Sequence, residues 1–417
     1  MRVLILVVGL IFCYFPYTQI LDIDTYTQPY ALIVCTLGAL ISFPTLTYHF
    51  PKADAMALFA LVFVGIFAFA LTCLPSPMPQ DFKSLLMYVS PAVFAFTAFA
   101  IYFERPELTE RIIIGAACIW LFVGLAQTLI SPTFATGFVG VWQDSAGVVA
   151  DSGRGTLGLA PEPTHHGFHM MVLAATLAVV RGRNWYSIAC IIAALVFARS
   201  SSSLLALGLG SALFFGLQTK KGIAMLLLAF PLYFGLGIML DSKVLPDSSR
   251  IVDLLQTAYE SPTALLMSDY SVNVRVGGVA AGFMEILDNY FIPSGLSAQV
   301  WTSQVSAVLS KYPWLFNISD SGIPSGFLII VYQLGFVGII LLYVPISRFI
   351  RREGPAFENW LLACVVFVFL GQYLLSTPGF GALYGLILAK RIGALTLRRA
   401  AGNNDFSSFS APAEYSR

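Results

Sequence analysis

Charged residues are scarce in this sequence. They make up 11% of its 417 residues, whereas a soluble domain carries roughly 25%. The chain therefore has too few charges to coat a water-facing surface, which excludes soluble enzymes and disordered scaffolds. A net charge of +1 also gives no electrostatic attraction to nucleic acid, so no nucleic-acid partner is expected.

Cysteine is also uncommon, and its placement indicates no redox or metal chemistry. All six cysteines lie in apolar runs rather than in loops. The usual metal-ligand spacings are absent, so these residues are interpreted as small buried hydrophobic side chains. We expect no disulfide framework, no metal centre and no cofactor.

Long hydrophobic runs dominate the sequence instead. A helix needs about 20 apolar residues to cross a hydrocarbon core, and a spanning segment must satisfy its backbone polar groups internally. The sequence predicts an all-α, polytopic integral membrane helix bundle of about twelve transmembrane helices. The predicted spans are 3–20, 30–48, 55–74, 84–103, 112–131, 167–180, 186–198, 203–217, 222–240, 325–346, 357–375 and 379–389.

Basic residues predict the orientation of this bundle, because they concentrate in cytoplasmic loops. With both termini in the cytoplasm, 16 of the 23 Lys and Arg residues fall on the cytoplasmic side. The clusters RGR, KK, RR and KR all lie on that side. The twelve-span, N-in/C-in topology is therefore consistent with its own charge distribution.

Two predicted outer segments are long, 132–166 and 241–324, and loops beyond about 15 residues are uncommon unless they are functional. In the second, apolar residues recur with a helical period over 250–260 and 275–288. We expect these two stretches to be helices that either lie flat on the outer bilayer surface or pack over the bundle as a lid. The lid is favoured because their polar faces are not basic. Residues 1–401 are expected to form a single transmembrane domain whose site lies at the outer loops, followed by a disordered cytoplasmic tail over 402–417.

Ionisable side chains are concentrated just before the sixth span, where 151–169 has the sequence DSGRGTLGLAPEPTHHGFH. Glu162, His165 and His166 are candidate acid or base groups there, because ionisable residues at the edge of a helix bundle are commonly functional. A tight turn before the helix, without any chemistry, is the alternative interpretation.

Three isolated arginines on the otherwise acidic outer side form a candidate anion site. They are Arg154 in the same segment, Arg199 in RSSSSLLALG and Arg275 in SDYSVNVRVGG. A guanidinium group is suited to fork-like binding of phosphate oxygens. Exposed or membrane-interface arginines are the alternative for each. Asp320, in NISDSGIPSG, is either another base or an acid that begins the next helix.

Together these segments resemble the bacterial O-antigen polymerase/O-antigen ligase superfamily, the Wzy-type integral-membrane glycosyltransferases. LGLAPEPTHHG is similar to the Gly-x-x-x-Glu-Pro-Ser stretch of that family, with Thr164 in place of Ser. The segments ARSSSSLLAL, NVRVGGVAAGFMEILDNYFIPSGL and SDSGIPSGFLIIVYQLGFVGIILL resemble its later motifs in the same order. The likeness covers about 150–345 in spaced pieces.

The resemblance implies a metal-independent, inverting glycosyltransferase in the bacterial inner membrane with its site facing the periplasm. Its donor and acceptor would be glycans linked to undecaprenyl pyrophosphate in membrane lipid, and a chain-length regulator is a candidate partner protein. Arg154, Arg199 and Arg275 would stabilise the pyrophosphate leaving group. Glu162 would be the first choice of base, with Asp320, His165 and His166 as other catalytic candidates.

The stretch before the tenth span lacks the histidine that ligases of this superfamily carry, which favours a repeat-unit polymerase. Three alternatives stay open. One is a ligase of the same fold, and another is a metal-using polyprenyl-phosphate-sugar transferase in which Asp22 and Asp24 hold the ion. The third is a transporter of lipid-linked oligosaccharides, against which the long outer loop and the lack of an internal repeat both argue.

Overall fold

All regular secondary structure in the described part of this computed structural model is helical, with fifteen α-helices and one 3₁₀ turn. The structure describes residues 1–20, 27–139, 155–218, 270–312, 322–350, 354–371 and 373–402, together with 256, 257, 260, 261 and 264. The helices within these ranges are α1 (Arg2–Tyr14), α2 (Tyr30–Ile41), α3 (Phe43–His49), α4 (Lys52–Thr72), α5 (Pro79–Glu104), α6 (Pro106–Leu129), a 3₁₀ turn (Thr136–Val139), α7 (Pro163–Arg181), α8 (Trp185–Val196), α9 (Ser201–Gln218), α10 (Tyr270–Asp288), α11 (Ala298–Lys311), α12 (Leu328–Leu334), α13 (Phe336–Phe349), α14 (Ala356–Leu370) and α15 (Pro378–Gly402).

Local sequence explains where several of these helices begin and end. Proline occupies the first position of α5, α6 and α7, where its missing N–H would have no helical partner anyway. Asn184 caps α8 by accepting a hydrogen bond from the Ser187 backbone N–H at 2.9 Å. Gly182 ends α7 with a φ of 77°, a backbone conformation that glycine adopts readily.

Three of the described helices are long and apolar enough to cross a membrane, namely α4, α5 and α6. The bent pair α2 and α3 makes a fourth if the two are counted as one span. Shorter apolar helices include α1, α8, α13 and α14. The all-helical class is thus confirmed for the described residues, and these apolar helices are consistent with a membrane protein. The twelve-span count and its orientation stay predictions.

Two predicted spans are wrong as continuous helices. The run 30–48 is broken at Ser42 into α2 and α3, which meet at an angle of 71°. Pro44 accounts for this break, because proline lacks the N–H that would bond to the fourth preceding carbonyl and clashes with it. The run 325–346 is broken at Gly335, which has a φ of 60° and separates α12 from α13.

The bounds of several other spans also differ from the prediction. The first span ends at Tyr14 rather than at 20, the fourth begins at Pro79 rather than at 84, and the fifth begins at Pro106 rather than at 112. The sixth helix begins at Pro163 rather than at 167. Its first turn contains polar residues, so a prediction based on apolar runs did not include that turn. The eleventh ends at Leu370 rather than at 375, where Gly371 follows it. The twelfth extends to Gly402, because the residues after its apolar run are still good helix formers. The predicted span 222–240 and the tail from 403 lie outside the described residues.

Glycines allow the central helices to approach closely. A Cβ added at Gly385 of α15 would overlap the carbonyl oxygen of Ala95 on α5, and one added at Gly210 of α9 would overlap the Cys364 backbone on α14. Small residues serve this purpose in membrane bundles, where close backbone contact replaces the hydrophobic effect between helices. The contact between α5 and α15 thus lies in the core of the bundle.

Ion pairs join residues that the sequence assigns to the same, cytoplasmic, side. Arg181 lies 3.4 Å from Glu110, and Lys390 lies 2.8 Å from Glu358. The other pairs are Arg2 with Glu104 and Arg348 with Asp54. These pairings connect helix ends that are distant in sequence, and the predicted orientation stays a prediction.

Candidate active site

The segment that leads into α7 carries the first set of predicted site residues. Glu162 is the residue before the helix, with an extended backbone (φ −142°, ψ 151°), and its side chain is half-buried. His165 and His166 lie in the first turn of α7. His165 is half-buried, and its ring centroid lies 5.8 Å from that of Tyr17.

His166 is completely buried and contacts the loop that precedes α7. Its Nδ1 lies 3.0 Å from the carbonyl oxygen of Thr156. A carbonyl only accepts, so Nδ1 carries the proton. The ring stacks on Trp120 with a centroid distance of 5.7 Å. The Nε2 atom is buried and has no hydrogen-bond partner among the described residues. His166 therefore contacts the loop and the core rather than solvent.

His169, one turn further along α7, links three parts of the bundle. Its Nε2 lies 3.0 Å from the carbonyl oxygen of Tyr14, and its Nδ1 lies 3.3 Å from the hydroxyl of Tyr373. Trp120 donates to the same Tyr14 carbonyl at 2.9 Å. Because that carbonyl accepts, Nε2 carries the proton and Nδ1 accepts from the tyrosine. This histidine is a buried connection among α1, α7 and the residues before α15.

Gln127 on α6 is a residue that the sequence did not indicate. Its Nε2 donates to the carbonyl oxygens of Gly158 at 2.9 Å and Phe134 at 2.8 Å, and its Oε1 accepts from the Gly158 N–H at 2.7 Å. The side chain is buried, with 3% of its surface exposed. A glutamine in an apolar helix is a weak signal, because a polar residue there often makes only an interhelical contact.

The second predicted motif contacts the first. The Thr156 N–H donates to the Phe197 carbonyl at 2.8 Å. A Cβ added at Gly155 would overlap the backbone of Ala198, the residue before Arg199. Arg199 itself is exposed and has a φ of 44°. Arg154, which precedes Gly155 in sequence, lies outside the described residues.

The serines after Arg199 serve mainly to begin and pack α9. The Oγ of Ser200 accepts from the Ser203 N–H at 3.2 Å, which is a typical helix cap. A Cβ at Gly167 of α7 would lie 2.5 Å from the Ser203 Oγ. The start of α9 is therefore packed directly on the first turns of α7, beside the loop that carries Glu162.

The third and fourth motifs meet at α10. Arg275 lies in this helix, although its side chain is outside what the structure describes. Glycines on the same helix pack against the residues that follow Asp320: a Cβ at Gly278 would lie 2.6 Å from Pro324. Asp320 itself lies outside the described residues. The helix predicted over 275–288 is confirmed and begins five residues earlier, at Tyr270, and most of the stretch 250–260 is not described.

The large loop is fastened to the helix bundle through α11. Asp81, in the first turn of α5, accepts from the N–H of Ala298 at 2.7 Å and from that of Met78 at 2.9 Å. The Leu296 N–H donates to the Thr72 hydroxyl at 3.1 Å. These contacts hold α11, a helix that was not predicted, against the ends of α4 and α5. The lid over 250–260 and 275–288 stays a prediction.

A break between α14 and α15 lies next to His169 and was not predicted as part of the site. Residues 371 and 373–377 are not helical. The Gly326 N–H donates to the Phe369 carbonyl at 2.9 Å, so the segment that enters α12 packs on this break. Gly371 and Pro378 bound this break, whereas the predicted spans 357–375 and 379–389 placed it only over 376–378.

No group of three or more His, Cys, Asp or Glu side chains suited to hold a metal ion occurs in the part of the chain that the structure describes. Asp22 and Asp24 lie outside that part. The structure thus brings the segments of Glu162 and Arg199 together, places α10 beside the residues after Asp320, and buries His166. No protein-family model matches this chain, and no curated protein sequence matches it.

Proposed function

We propose that the protein is a membrane glycosyltransferase that polymerises undecaprenyl-pyrophosphate-linked oligosaccharide repeat units at the periplasmic face of a bacterial inner membrane. The product would be an O-antigen, capsule or exopolysaccharide. The proposal rests on the order of the motifs in the sequence, on the apolar helices and on one structural observation.

That observation is the direct contact between the two motif segments. They are about 40 residues apart in sequence, yet the loop before α7 is hydrogen-bonded to the end of α8 at Thr156 and Phe197. The contact joins Thr156, six residues before Glu162, to Phe197, two residues before Arg199. This supports the proposal because transfer of a phosphate-linked glycan requires a carboxylate base and a cationic group for the leaving diphosphate within one site.

In the proposed reaction the carboxylate acts as the base and the arginines stabilise the leaving group. The acceptor hydroxyl oxygen attacks the anomeric carbon of the donor glycan while the bond from that carbon to the diphosphate oxygen breaks. Glu162 would take the hydroxyl proton, and Arg154, Arg199 and Arg275 would stabilise the negative charge that develops on the departing lipid diphosphate. Direct attack from the opposite face inverts the anomeric centre. Both lipid tails can stay in the bilayer throughout.

The test uses the purified full chain in lipid nanodiscs with lipid-linked repeat units, with and without a chelator, followed by gel analysis of glycan length. We expect a ladder of polymers in both conditions. Glu162→Gln should lower kcat by roughly 100-fold or more with little change in KM, whereas Glu107→Gln, an exposed carboxylate on α6, should not. Arg199→Ala should abolish the ladder, and Arg199→Lys should rescue poorly because a lysine lacks the planar fork.

Arg183→Ala is the matched control for Arg199, since Arg183 is also exposed and follows a helix end. Full activity of Arg199→Ala would remove that residue from the site. Unchanged turnover of Glu162→Gln would transfer the base role to Asp320 or a histidine. Transfer of a single glycan to a lipid A-core acceptor, without a ladder, would identify a ligase instead.

A transporter of lipid-linked oligosaccharides is the second candidate, because the tenth predicted span is interrupted at Gly335, between α12 and α13. Interrupted helices whose ends meet inside a bundle are typical of substrate sites in transporters. Movement of a labelled lipid-linked glycan across sealed vesicles, with no change in glycan length, would favour this candidate over the polymerase.

A further inference from the structure

The loop 155–162 is held on both sides of Gly158. On one side, Gln127 binds both the N–H and the carbonyl of this glycine. On the other side lies the ring of His166, only 2.8 Å from where a Cβ at Gly158 would be. The positive φ of 59° at Gly158 and this lack of space mean that only glycine fits without displacement.

The Gln127 amide is matched to this task. An amide group has two N–H donors and a carbonyl acceptor, and here both donors and the acceptor are used. A carboxylate would present only acceptors to two carbonyl oxygens. An apolar side chain would leave the Gly158 N–H and two carbonyls without their partner in a buried place, which costs more than the bond itself contributes.

Only three residues separate Gly158 from Glu162, and hydrogen bonds restrict the backbone at both ends of this short segment. The Ala160 N–H donates to the Leu157 carbonyl at 3.0 Å, which closes a turn. The Glu162 carbonyl accepts from the His166 N–H at 3.0 Å, which begins α7. A displacement of Gly158 is therefore transmitted to the residue that precedes the helix.

We propose that Gln127 is a positioning residue that fixes the Glu162 carboxylate relative to the reacting hydroxyl through the backbone of Gly158. Gln127 is buried and its amide bonds the backbone of Gly158 and Phe134, so it would act through the loop. The catalytic consequence of this assignment rests on the proposed function. The two hydrogen bonds between Gln127 and Gly158, here called the clamp, are a property of the fold and can be measured without an activity assay.

The first test is hydrogen exchange of the full-length protein in nanodiscs. In Gln127→Leu, the Gly158 amide should exchange at least about tenfold faster, since its acceptor is gone. The Thr156 amide, bonded to the Phe197 carbonyl, should keep its protection. Thr128→Val, a change at the exposed neighbouring residue on α6, should alter neither. Unchanged exchange at Gly158 in Gln127→Leu would overturn the clamp.

The second test is a double-mutant cycle in the polymerisation assay. Gln127→Leu should lower kcat by roughly 10- to 100-fold with KM nearly unchanged, as expected for a misplaced catalytic group. Combined with Glu162→Gln it should add almost nothing, because both changes remove the same contribution. A full additional loss in the double variant would show that Gln127 acts only on overall stability and would overturn its positioning role.

Gly158→Ala provides a second route to the same result should Gln127→Leu fold poorly. It keeps the amide and displaces the loop from the opposite side, so it should reproduce both the fall in kcat and the non-additivity with Glu162→Gln. Full activity of Gly158→Ala would contradict the positioning role. Absence of any polymerisation by the native protein would instead contradict the proposed function, while the exchange result would still decide the clamp.

Discussion

A buried ionic cluster joins three helices of the bundle, α4, α13 and α15, and it allows a quantitative stability prediction. Both guanidinium nitrogens used by Arg348 on α13 bind the Asp54 carboxylate on α4, at 2.8 and 3.0 Å. Tyr384 on α15 donates to the same carboxylate at 2.5 Å. Asp54 is 1% exposed, whereas the Arg348 side chain is 24% exposed.

Removing the arginine should be costly because it leaves a buried carboxylate with one neutral partner. Loss of one member of a buried pair costs about 3–5 kcal/mol, and the partial exposure of Arg348 favours about 3 kcal/mol for Arg348→Ala. Tyr384→Phe removes one hydrogen bond to a charged acceptor and should cost about 1.5–3 kcal/mol. The double variant Asp54→Leu with Arg348→Leu should be more stable than Arg348→Ala alone, since no uncompensated charge is left in the interior.

The free energy of unfolding in mixed detergent micelles is the appropriate measurement. Arg181→Ala is the matched control, because its ion pair with Glu110 at 3.4 Å is partly exposed and should be worth about 0–1 kcal/mol. If Arg348→Ala is no more destabilising than Arg181→Ala, the reasoning from burial and bidentate geometry is wrong. If the double leucine variant is the least stable of all, the ion pair itself stabilises the bundle.

The remaining predictions concern packing and pH. Gly385→Ala should markedly lower the melting temperature, because the added Cβ would overlap the Ala95 carbonyl oxygen. Gly393→Ala in the same helix should be neutral, because open space surrounds that position. Equal effects of the two substitutions on the melting temperature would contradict the packing argument. The pKa of Glu285 is raised by partial desolvation and by the nearby Asp288, so its ionisation destabilises the fold as pH rises from the ordinary carboxyl value through the raised one. Glu285→Gln should therefore raise the melting temperature at neutral pH and have no effect below pH 4.5, and an effect of equal size at both pH values would contradict that cause.

The sequence by itself determined that the described chain is helical and where most of its helices lie. Long apolar runs leave backbone N–H and C=O groups no partners in lipid except each other, so a local property fixes the secondary structure. Prolines such as Pro106 and Pro163 fix helix starts in the same local way. The motif order also predicts Glu162 and Arg199 as site residues.

Tertiary structure alone decided which of these residues meet. Asp54 and Arg348 are 294 positions apart, and Gln127 finds its partner in a loop rather than on its own helix. The spans broken at Ser42 and Gly335 are apolar on both sides of the break, so their hydrophobicity does not show that the backbone changes direction there. Partner choice of this kind depends on how helices pack across the whole bundle, and no spacing within a single segment encodes it.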